Sequence, residues 1–460
     1  MPDNSYDVAV LGSGTGGYSA ALRAAELGKR VALVERDDRL GGTCLLRGCI
    51  PTKALLQSAA VMDSVNRSEE WGIKASGQPD LDAMMAFKDK VVDKLVGGLT
   101  SLVKMRKIDV VQGTGRLRPG PSIDIDGRMI EATDVVVASG SHPRLLPGLE
   151  LGERVFSSDQ ALSLDYLPRS VVVIGAGAVG LEFASFYRSF GAEVTVVEAL
   201  PRIAPLEDED ISKELDRAFR KRGIKCFAGA KVQDVKESGD HVEVTYEVKD
   251  KAQTVQADVC LVAVGRGPIS DGLGYEEIGV ELDRGYVKVN GSLQSTTEHV
   301  WAVGDVASTP FQLAHVSFAE GINVAERIAG ENPPEIDYVG VCRVTYCTPE
   351  VASVGLTEQQ AKDRGYDDLE IEKLSFQAIG KANIVGEGGA VKLVAAKGGP
   401  VLGVHMVGPH VTDLIAEGML ITNWEALPDE VAQLIHPHPS LSEAIGEAHL
   451  ALAGKALHTA

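Results

Sequence analysis

One pattern occurs twice in this chain and restricts its fold more than anything else. Tyr6-Asp7-Val8-Ala9-Val10-Leu11 reads as a strand and Gly12-Ser13-Gly14-Thr15-Gly16-Gly17 as a turn. Residues 18–27 read as a helix closed by Gly28, and Val31-Ala32-Leu33-Val34-Glu35 as a second strand ending in an acid. The order returns 163 residues later, with Val171-Val172-Val173-Ile174, Gly175-Ala176-Gly177-Ala178-Val179-Gly180, Gly191 and Val194-Thr195-Val196-Val197-Glu198. Both 12–35 and 175–198 are steps of 23 residues. Strand, glycine turn, helix, strand and acid together form a dinucleotide site. Gly12 and Gly175 permit the tight turn, Gly14 and Gly177 let the backbone approach a pyrophosphate, and Gly17 and Gly180 let the helix pack close. The helix N–H groups then face the phosphates, and Glu35 and Glu198 accept from ribose hydroxyls. Two such units in register predict an α/β protein that binds two dinucleotides.

Glu198 also selects the nucleotide. A carboxylate receives the free 2′-hydroxyl of NAD and repels the 2′-phosphate of NADP. Arg202 follows four residues later, beyond Pro201, so NAD is the expected ligand of the second turn.

Composition removes other classes. The chain has 460 residues, enough for about three domains. Its formal charge of −20 opposes non-specific binding to nucleic acid or anionic lipid. No apolar run approaches the roughly 20 residues of a membrane span, so neither a membrane nor a nucleic-acid partner is expected. The first strand starts almost at the N-terminus, so no signal peptide is expected either. Six cysteines are too few for a disulfide scaffold and point to a reducing cytoplasm, where a disulfide is catalytic more often than structural.

Two of those cysteines lie in Gly41-Gly42-Thr43-Cys44-Leu45-Leu46-Arg47-Gly48-Cys49-Ile50-Pro51-Thr52-Lys53. Residues five apart on a regular helix stand about 7.5 Å apart and roughly 140° round the axis, beyond disulfide reach. Cys44 and Cys49 therefore cannot share an ideal helix if they are to meet. Gly48 and Pro51 predict an irregular entry, with Pro51 in the first turn of a helix whose dipole favours a thiolate. By spacing alone the pair is equally consistent with two buried thiols that never meet. Cys342 and Cys347 share the spacing, but an odd interval in a predicted strand puts them on opposite faces. With Cys226 and Cys260 they read as structural.

Further apolar runs end in glycine at Gly140, Gly265 and Gly304, as parallel strands do at a sheet's carboxyl edge. Asp305, just past one of them, requires a ligand or partner. Beyond Asn332-Pro333-Pro334, residues 339–354 and 391–407 predict antiparallel strands, with helices from Thr357 and Thr412. The expected domains are 1–147, 148–267, a central segment 268–334, and an α+β domain at 335–460. His436-Pro437-His438 reads as a loop with two histidines; no Cys and His lie at ligand spacing, so no metal is expected.

These blocks, together with Leu313-Ala314-His315, Thr348-Pro349-Glu350 and 436–443, resemble the FAD-dependent pyridine nucleotide-disulfide oxidoreductases over essentially the whole length, and among them the dihydrolipoamide dehydrogenases. The resemblance implies two Rossmann-like domains, for FAD and NAD, and a C-terminal dimerisation domain. It places FAD at the first turn, with Glu35 at its ribose, Asp305 at its ribityl and phosphate portion, and Ala314 beside the isoalloxazine. Gly115, Gly140 and Lys53 join that site, and Gly175, Gly177, Gly180, Glu182, Glu198 and Gly265 the NAD site. Lys53 is expected to pair with Glu182, although each is equally readable as an ordinary helix residue.

The resemblance further implies that Cys44 exchanges with substrate and Cys49 faces the flavin, with His438 as base, held by Glu443 and supplied by the other subunit of a homodimer. An imidazole suits that task, because it titrates near neutrality and a carboxylate orients it. The implied reaction oxidises dihydrolipoamide and reduces NAD+, which makes lipoyl domains and the acyltransferase core of a 2-oxo acid dehydrogenase complex the expected partners. A glutathione- or mercuric-type reductase is the alternative within the class, and a slow redox sensor the alternative outside it. Leu46-Arg47 departs from the Asn-Val pair common in the family. Arg47 is expected to face water rather than to tune a thiolate.

Overall fold

The computed structural model describes residues 5–458. The chain divides into two compact units, one made of Met1–Ala54, Ala83–Arg144 and Arg266–Tyr338, the other of Leu55–Asp82, Leu145–Gly265 and Val339–Ala460.

The first unit is built on a seven-stranded sheet. Asp109–Gln112, Val31–Glu35, Ser5–Leu11, Arg128–Val137 and Val300–Ala302 lie parallel, and Ser122–Ile125 and Gly115–Arg118 extend it antiparallel. Its central strands are buried on both faces, which is why they read as unbroken valine and leucine runs rather than alternating ones. Val8 pairs with Val31 and with Asp134, Val10 with Leu33 and Val136, and Val300 with Val135. This register aligns the carboxyl ends of 5–11, 31–35, 128–137 and 300–302. Gly12, Glu35, Gly140 and Asp305 follow at or just beyond that edge, where open α/β sheets bind their ligands. The helix Thr15–Glu26 buries a face of small residues, Ala20, Ala21 and Ala24, against the sheet cluster around Val8, Val10, Leu33 and Val136.

The second unit repeats the plan. Its all-parallel sheet runs Lys225–Ala228, Glu193–Glu198, Ser170–Ile174, Val259–Val262 and Val155–Ser157. The helix Ala178–Ser189 follows the second glycine turn and buries Phe183, Phe186 and Tyr187 together. Each such ring contributes roughly 2–3 kcal/mol by leaving water. A three-stranded antiparallel sheet, Ala230–Ser238, His241–Val248 and Lys251–Ala257, is attached.

The last part of the unit is the expected α+β element. Arg343–Thr345, Glu350–Gly355, Val401–Gly408, Ala390–Ala396 and Leu369–Ser375 form an antiparallel sheet covered by Val411–Asn423 and Glu443–Leu452. Thr357 caps the helix Glu358–Asp363, its hydroxyl accepting the Gln360 N–H. The strand at 343–345 is shorter than the sequence implied and contains neither Cys342 nor Cys347. Cys347 is buried beyond it, with its Sγ donating to the Pro349 carbonyl at 3.1 Å. No helix among the described residues is long and apolar enough to cross a membrane.

Candidate active site

The two glycine turns have nearly identical backbones. Gly12 and Gly175 have φ of +105° and +102°, and a Cβ on either would meet a carbonyl oxygen, of Ala138 at 2.4 Å or Ala263 at 2.3 Å. Gly17 and Gly180 lie so close to the Gly12 and Gly175 carbonyls that a Cβ would fall at 1.8 and 2.0 Å. Gly14 and Gly177 differ, because a Cβ there meets nothing within 4 Å. Each is also the N-cap of its helix and offers no side-chain cap to the first N–H groups. The turns thus leave helix-terminal donors and open space together, as a pyrophosphate requires.

Both acids reach back to their turns. Glu198 accepts the Ala176 N–H at 2.6 Å and the Leu200 N–H at 2.7 Å. Glu35 accepts the Ser13 N–H at 2.7 Å, the Ser13 hydroxyl at 2.5 Å and the Asp37 N–H at 2.9 Å. Arg202, the one nearby cation the sequence raised, donates to the Pro205 and Glu207 carbonyls at 3.0 and 3.2 Å.

The cysteine stretch forms two helices, Gly42–Leu46 and one beginning at Cys49 and running to Asn66, broken at Arg47 and Gly48. The break does what the spacing demanded, and the two thiols hydrogen-bond to each other. That contact, followed by burial, pushes the Cys44 thiol well above its ordinary value; the Lys53 ammonium opposes the rise. Cys49 opens an 18-residue helix, where negative charge is favoured. The Tyr18 hydroxyl is pushed up to about 12 by burial and by the neighbouring Cys44 and Cys49.

Asp305 has the partner it required. The Ser141 hydroxyl donates to it, and Arg266 donates to the Ser141 hydroxyl at 2.7 Å and carbonyl at 2.8 Å. Beneath it, Glu320 accepts the Gly304 N–H at 2.6 Å and the Tyr338 hydroxyl at 2.9 Å. Burial raises the Glu320 carboxyl to about 7. Ala314 is the first residue of the helix Ala314–Ile328, and the Gly140 carbonyl accepts the Ile269 N–H at 2.9 Å. Gly115 stands in a strand, where a Cβ would collide with Leu11 and Ile123 at 2.6 and 2.7 Å.

Arg47 corrects the sequence reading: it does not simply face water but forms an ion pair with Asp37. Sequence reasoning also missed Ser13 as a support of the first turn, and Ser141, Arg266 and Glu320 as supports of Asp305 and Gly304. Ser13, lying inside the motif, was the only one with a local signal.

In the second unit, Glu182 is buried and accepts the Tyr346 N–H at 3.0 Å. Gly265, at φ +105°, ends the loop after Val259–Val262. The two histidines of 436–438 part company. His436 is 13% exposed and bound to Glu417 at 2.7 Å, whereas His438 is 77% exposed with its Nδ1 at 2.7 Å from Glu443 Oε1. Glu443 Oε2 accepts the Ser440 N–H at 2.7 Å. Although burial favours its neutral form, that N–H and His438 hold the Glu443 carboxyl below its ordinary value. A fixed carboxylate behind an exposed imidazole leaves Nε2 to take a proton. Among the described residues no group of three or more His, Cys, Asp or Glu is arranged to hold a metal ion.

Residues 6–321 match the family described as pyridine nucleotide-disulphide oxidoreductase, and 341–449 match the dimerisation domain of the same family. The chain belongs to the pyridine nucleotide-disulphide oxidoreductases. Among curated members it is 44% identical to the dihydrolipoyl dehydrogenase of Bacillus subtilis strain 168, over 98% of this chain and 99% of that one. It is 40% identical to that of Thermus scotoductus, over 99% of each. Among solved structures, LpdA from Mycobacterium tuberculosis superposes with a TM-score of 0.88 at 28% identity, covering 97% of this chain and 99% of the other. The HOCl-induced flavoprotein disulfide reductase RclA from Escherichia coli gives 0.86 at 27%, covering 96% and 99%. This oxidoreductase family therefore shares one fold among members with different names, and the side chains must distinguish their reactions.

Proposed function

We propose that this chain is a dihydrolipoyl dehydrogenase, with FAD at the first glycine turn and NAD at the second. The observation that carries the reading is the hydrogen-bonded Cys44–Cys49 pair, held in the same unit as the Gly12 turn and Asp305. His438 takes a proton from one thiol of dihydrolipoamide, and Glu443 steadies the imidazolium. The substrate thiolate attacks Cys44 Sγ of the Cys44–Cys49 disulfide and releases Cys49 as a thiolate. The second substrate thiol then attacks the first sulfur and displaces Cys44 from the mixed disulfide; its proton passes to the departing Cys44 sulfur, lipoamide is formed, and the electron pair stays on the two protein sulfurs. Held by the Gly12 turn, Glu35 and Asp305, FAD would supply the two-electron acceptor for that dithiol and the hydride donor for NAD+. Cys49 is the sulfur of the flavin side, and Lys53 follows it on the same helix. Glu198 holds the ribose of NAD, and the Arg202 nitrogen that donates to the Pro205 and Glu207 carbonyls is turned to the backbone rather than to a 2′-phosphate.

The chain carries the family's dimerisation domain and acts as a homodimer. The finer proposal is that His438 serves the disulfide of the other subunit. It is supported by the exposure of His438 and of its neighbour Ile435, which is 98% exposed in the protomer. Leu434 beside it is 61% exposed as well, and adjacent apolar side chains so exposed fit a surface that a partner covers. Lipoyl domains bring the substrate, and the acidic surface suits a basic docking segment of an acyltransferase core; association insensitive to salt would count against that docking. A cytoplasmic location belongs to the same proposal, since the cycle requires reduced thiols.

His438→Ala tests the assignment. NAD+ reduction by dihydrolipoamide should fall by about a hundredfold or more while the flavin absorbance stays intact. Near-normal turnover would remove His438 from the reaction.

A further inference from the structure

Arg47 lies between the two redox cysteines, where a cation is expected to stabilise a thiolate. The structure gives it a different task. The largest charge effects on Cys44 come from Cys49, Lys53 and Asp305. The Arg47 guanidinium is instead paired with the Asp37 carboxylate.

Asp37 is not an isolated surface acid. Its backbone N–H donates to Glu35 Oε1 at 2.9 Å, and Glu35 Oε2 holds the N–H and hydroxyl of Ser13 in the first glycine turn. The Asp37 carbonyl accepts from Gln112 Nε2 at 2.6 Å, and the Arg36 carbonyl accepts from the same atom at 3.2 Å. Gly41, which opens the cysteine stretch, donates its N–H to the Ser13 carbonyl and hydroxyl, each at 3.1 Å. The segment 35–41 is thus tied at both ends to the turn. Arg36 Nε, 3.8 Å from Asp37, is half-exposed and adds a weaker charge contact. Arg47 carries this tie one step further. It is the C-cap of Gly42–Leu46, with φ −147° and ψ 22°, the residue at which the chain leaves one helix to begin the other. Fixing its side chain fixes the break that brings the thiols together.

We propose that Arg47 is a positioning residue: through Asp37 it fastens the turn between the two thiols to the acid that receives the ribose of FAD, so the dithiol geometry and FAD retention depend on one ion pair. The proposal rests on the placement of FAD at the first turn given above. The Asn-Val pair common in the family has no cation at this position.

The test uses the holoenzyme of Arg47→Val, Asp37→Asn and the double variant. The release rate of FAD is followed by flavin fluorescence, and the long-wavelength thiolate-to-flavin absorbance is recorded on two-electron reduction. Each single variant should release FAD about two- to fivefold faster and change the intensity of that absorbance, and the double variant should go no further than either single one. Unchanged release and absorbance in Arg47→Val would overturn the proposal, as would effects of the two substitutions that simply multiply. Turnover of dihydrolipoamide by the unaltered enzyme, measured alongside, separates this failure from a failure of the functional reading. An enzyme without that turnover but with coupled Arg47 and Asp37 effects would retain the tie and lose the substrate.

Discussion

The first and second glycine turns share three glycine positions and an acid, yet they are enclosed differently. At the fifth position of the motif stands Gly16, where a Cβ would meet Val303 at 2.9 Å; its counterpart Val179 is 37% exposed. At the second position Ser13 adds a hydroxyl bond to its acid and a bond from Gly41, whereas Ala176 has only its backbone to offer Glu198. The segment carrying Val303, Gly304 and Asp305 closes over the first turn and is held from below by Glu320. Shared positions therefore define where a diphosphate goes, and the positions between them set how readily it leaves. The proposed placement follows this difference: FAD, which remains through the cycle, at the enclosed turn, and NAD, which must exchange at every turnover, at the open one.

The sharpest way to break this comparison is to make the same change in both turns. Gly12→Ala and Gly175→Ala each force a Cβ onto a carbonyl at a positive φ, a local cost of about 2–5 kcal/mol. The first should yield protein depleted of flavin and lower in melting temperature, since it also loses the stabilisation of a bound cofactor. The second should keep its flavin absorbance and lose NAD+ binding. Equal flavin content in the two variants would contradict the assignment of the turns.

Enclosure also leaves a pH signature. Glu320 is raised to about 7 by burial, with Asp305 adding to the rise while the Gly304 N–H and the Tyr338 and Thr309 hydroxyls oppose it. The unfolded chain therefore loses this proton at lower pH than the folded one. The group's contribution to stability is full below its unfolded value and is lost as pH rises through about 7. Glu320→Gln should flatten the melting profile of the holoenzyme over that window, by on the order of 3 kcal/mol in total. An unchanged slope would show that this carboxyl does not titrate there.

A smaller effect sharpens the role of the middle glycine. Gly177→Ala adds a methyl into space the protein does not use. The melting temperature should stay put while KM for NAD+ rises about tenfold, the equivalent of ~1.4 kcal/mol. A drop in stability with unchanged KM would mean that the open space is not the nucleotide's.

Much of this was legible because the motif is local. A positive φ at Gly12, close packing at Gly17 and an acid at the end of the next strand are demands that neighbouring residues impose, so the letters carry them. The break between Cys44 and Cys49 was likewise readable from Gly48, Pro51 and the reach of a disulfide. Contacts made at a distance in sequence were not readable. Glu320 looks like any helix glutamate until the fold brings Gly304 and Tyr338 to it. Arg47 read as a solvated residue because its partner, ten positions earlier, is reached only when the two helices fold back. Gly115 gave no sign of the side chains packed against it. The two histidines at 436 and 438 are indistinguishable by type, and only the fold buries one against Glu417 and presents the other.

The central claim is that electrons run from a dithiol substrate through Cys44 and Cys49 to NAD+. It is tested most directly by a steady-state comparison of kcat/KM for dihydrolipoamide with NAD+ against glutathione disulfide with NADPH. The account predicts strong preference for the first pair, with NADP+ a poor substitute for NAD+. Preference for glutathione disulfide with NADPH would contradict both the direction of the relay and the role of Glu198.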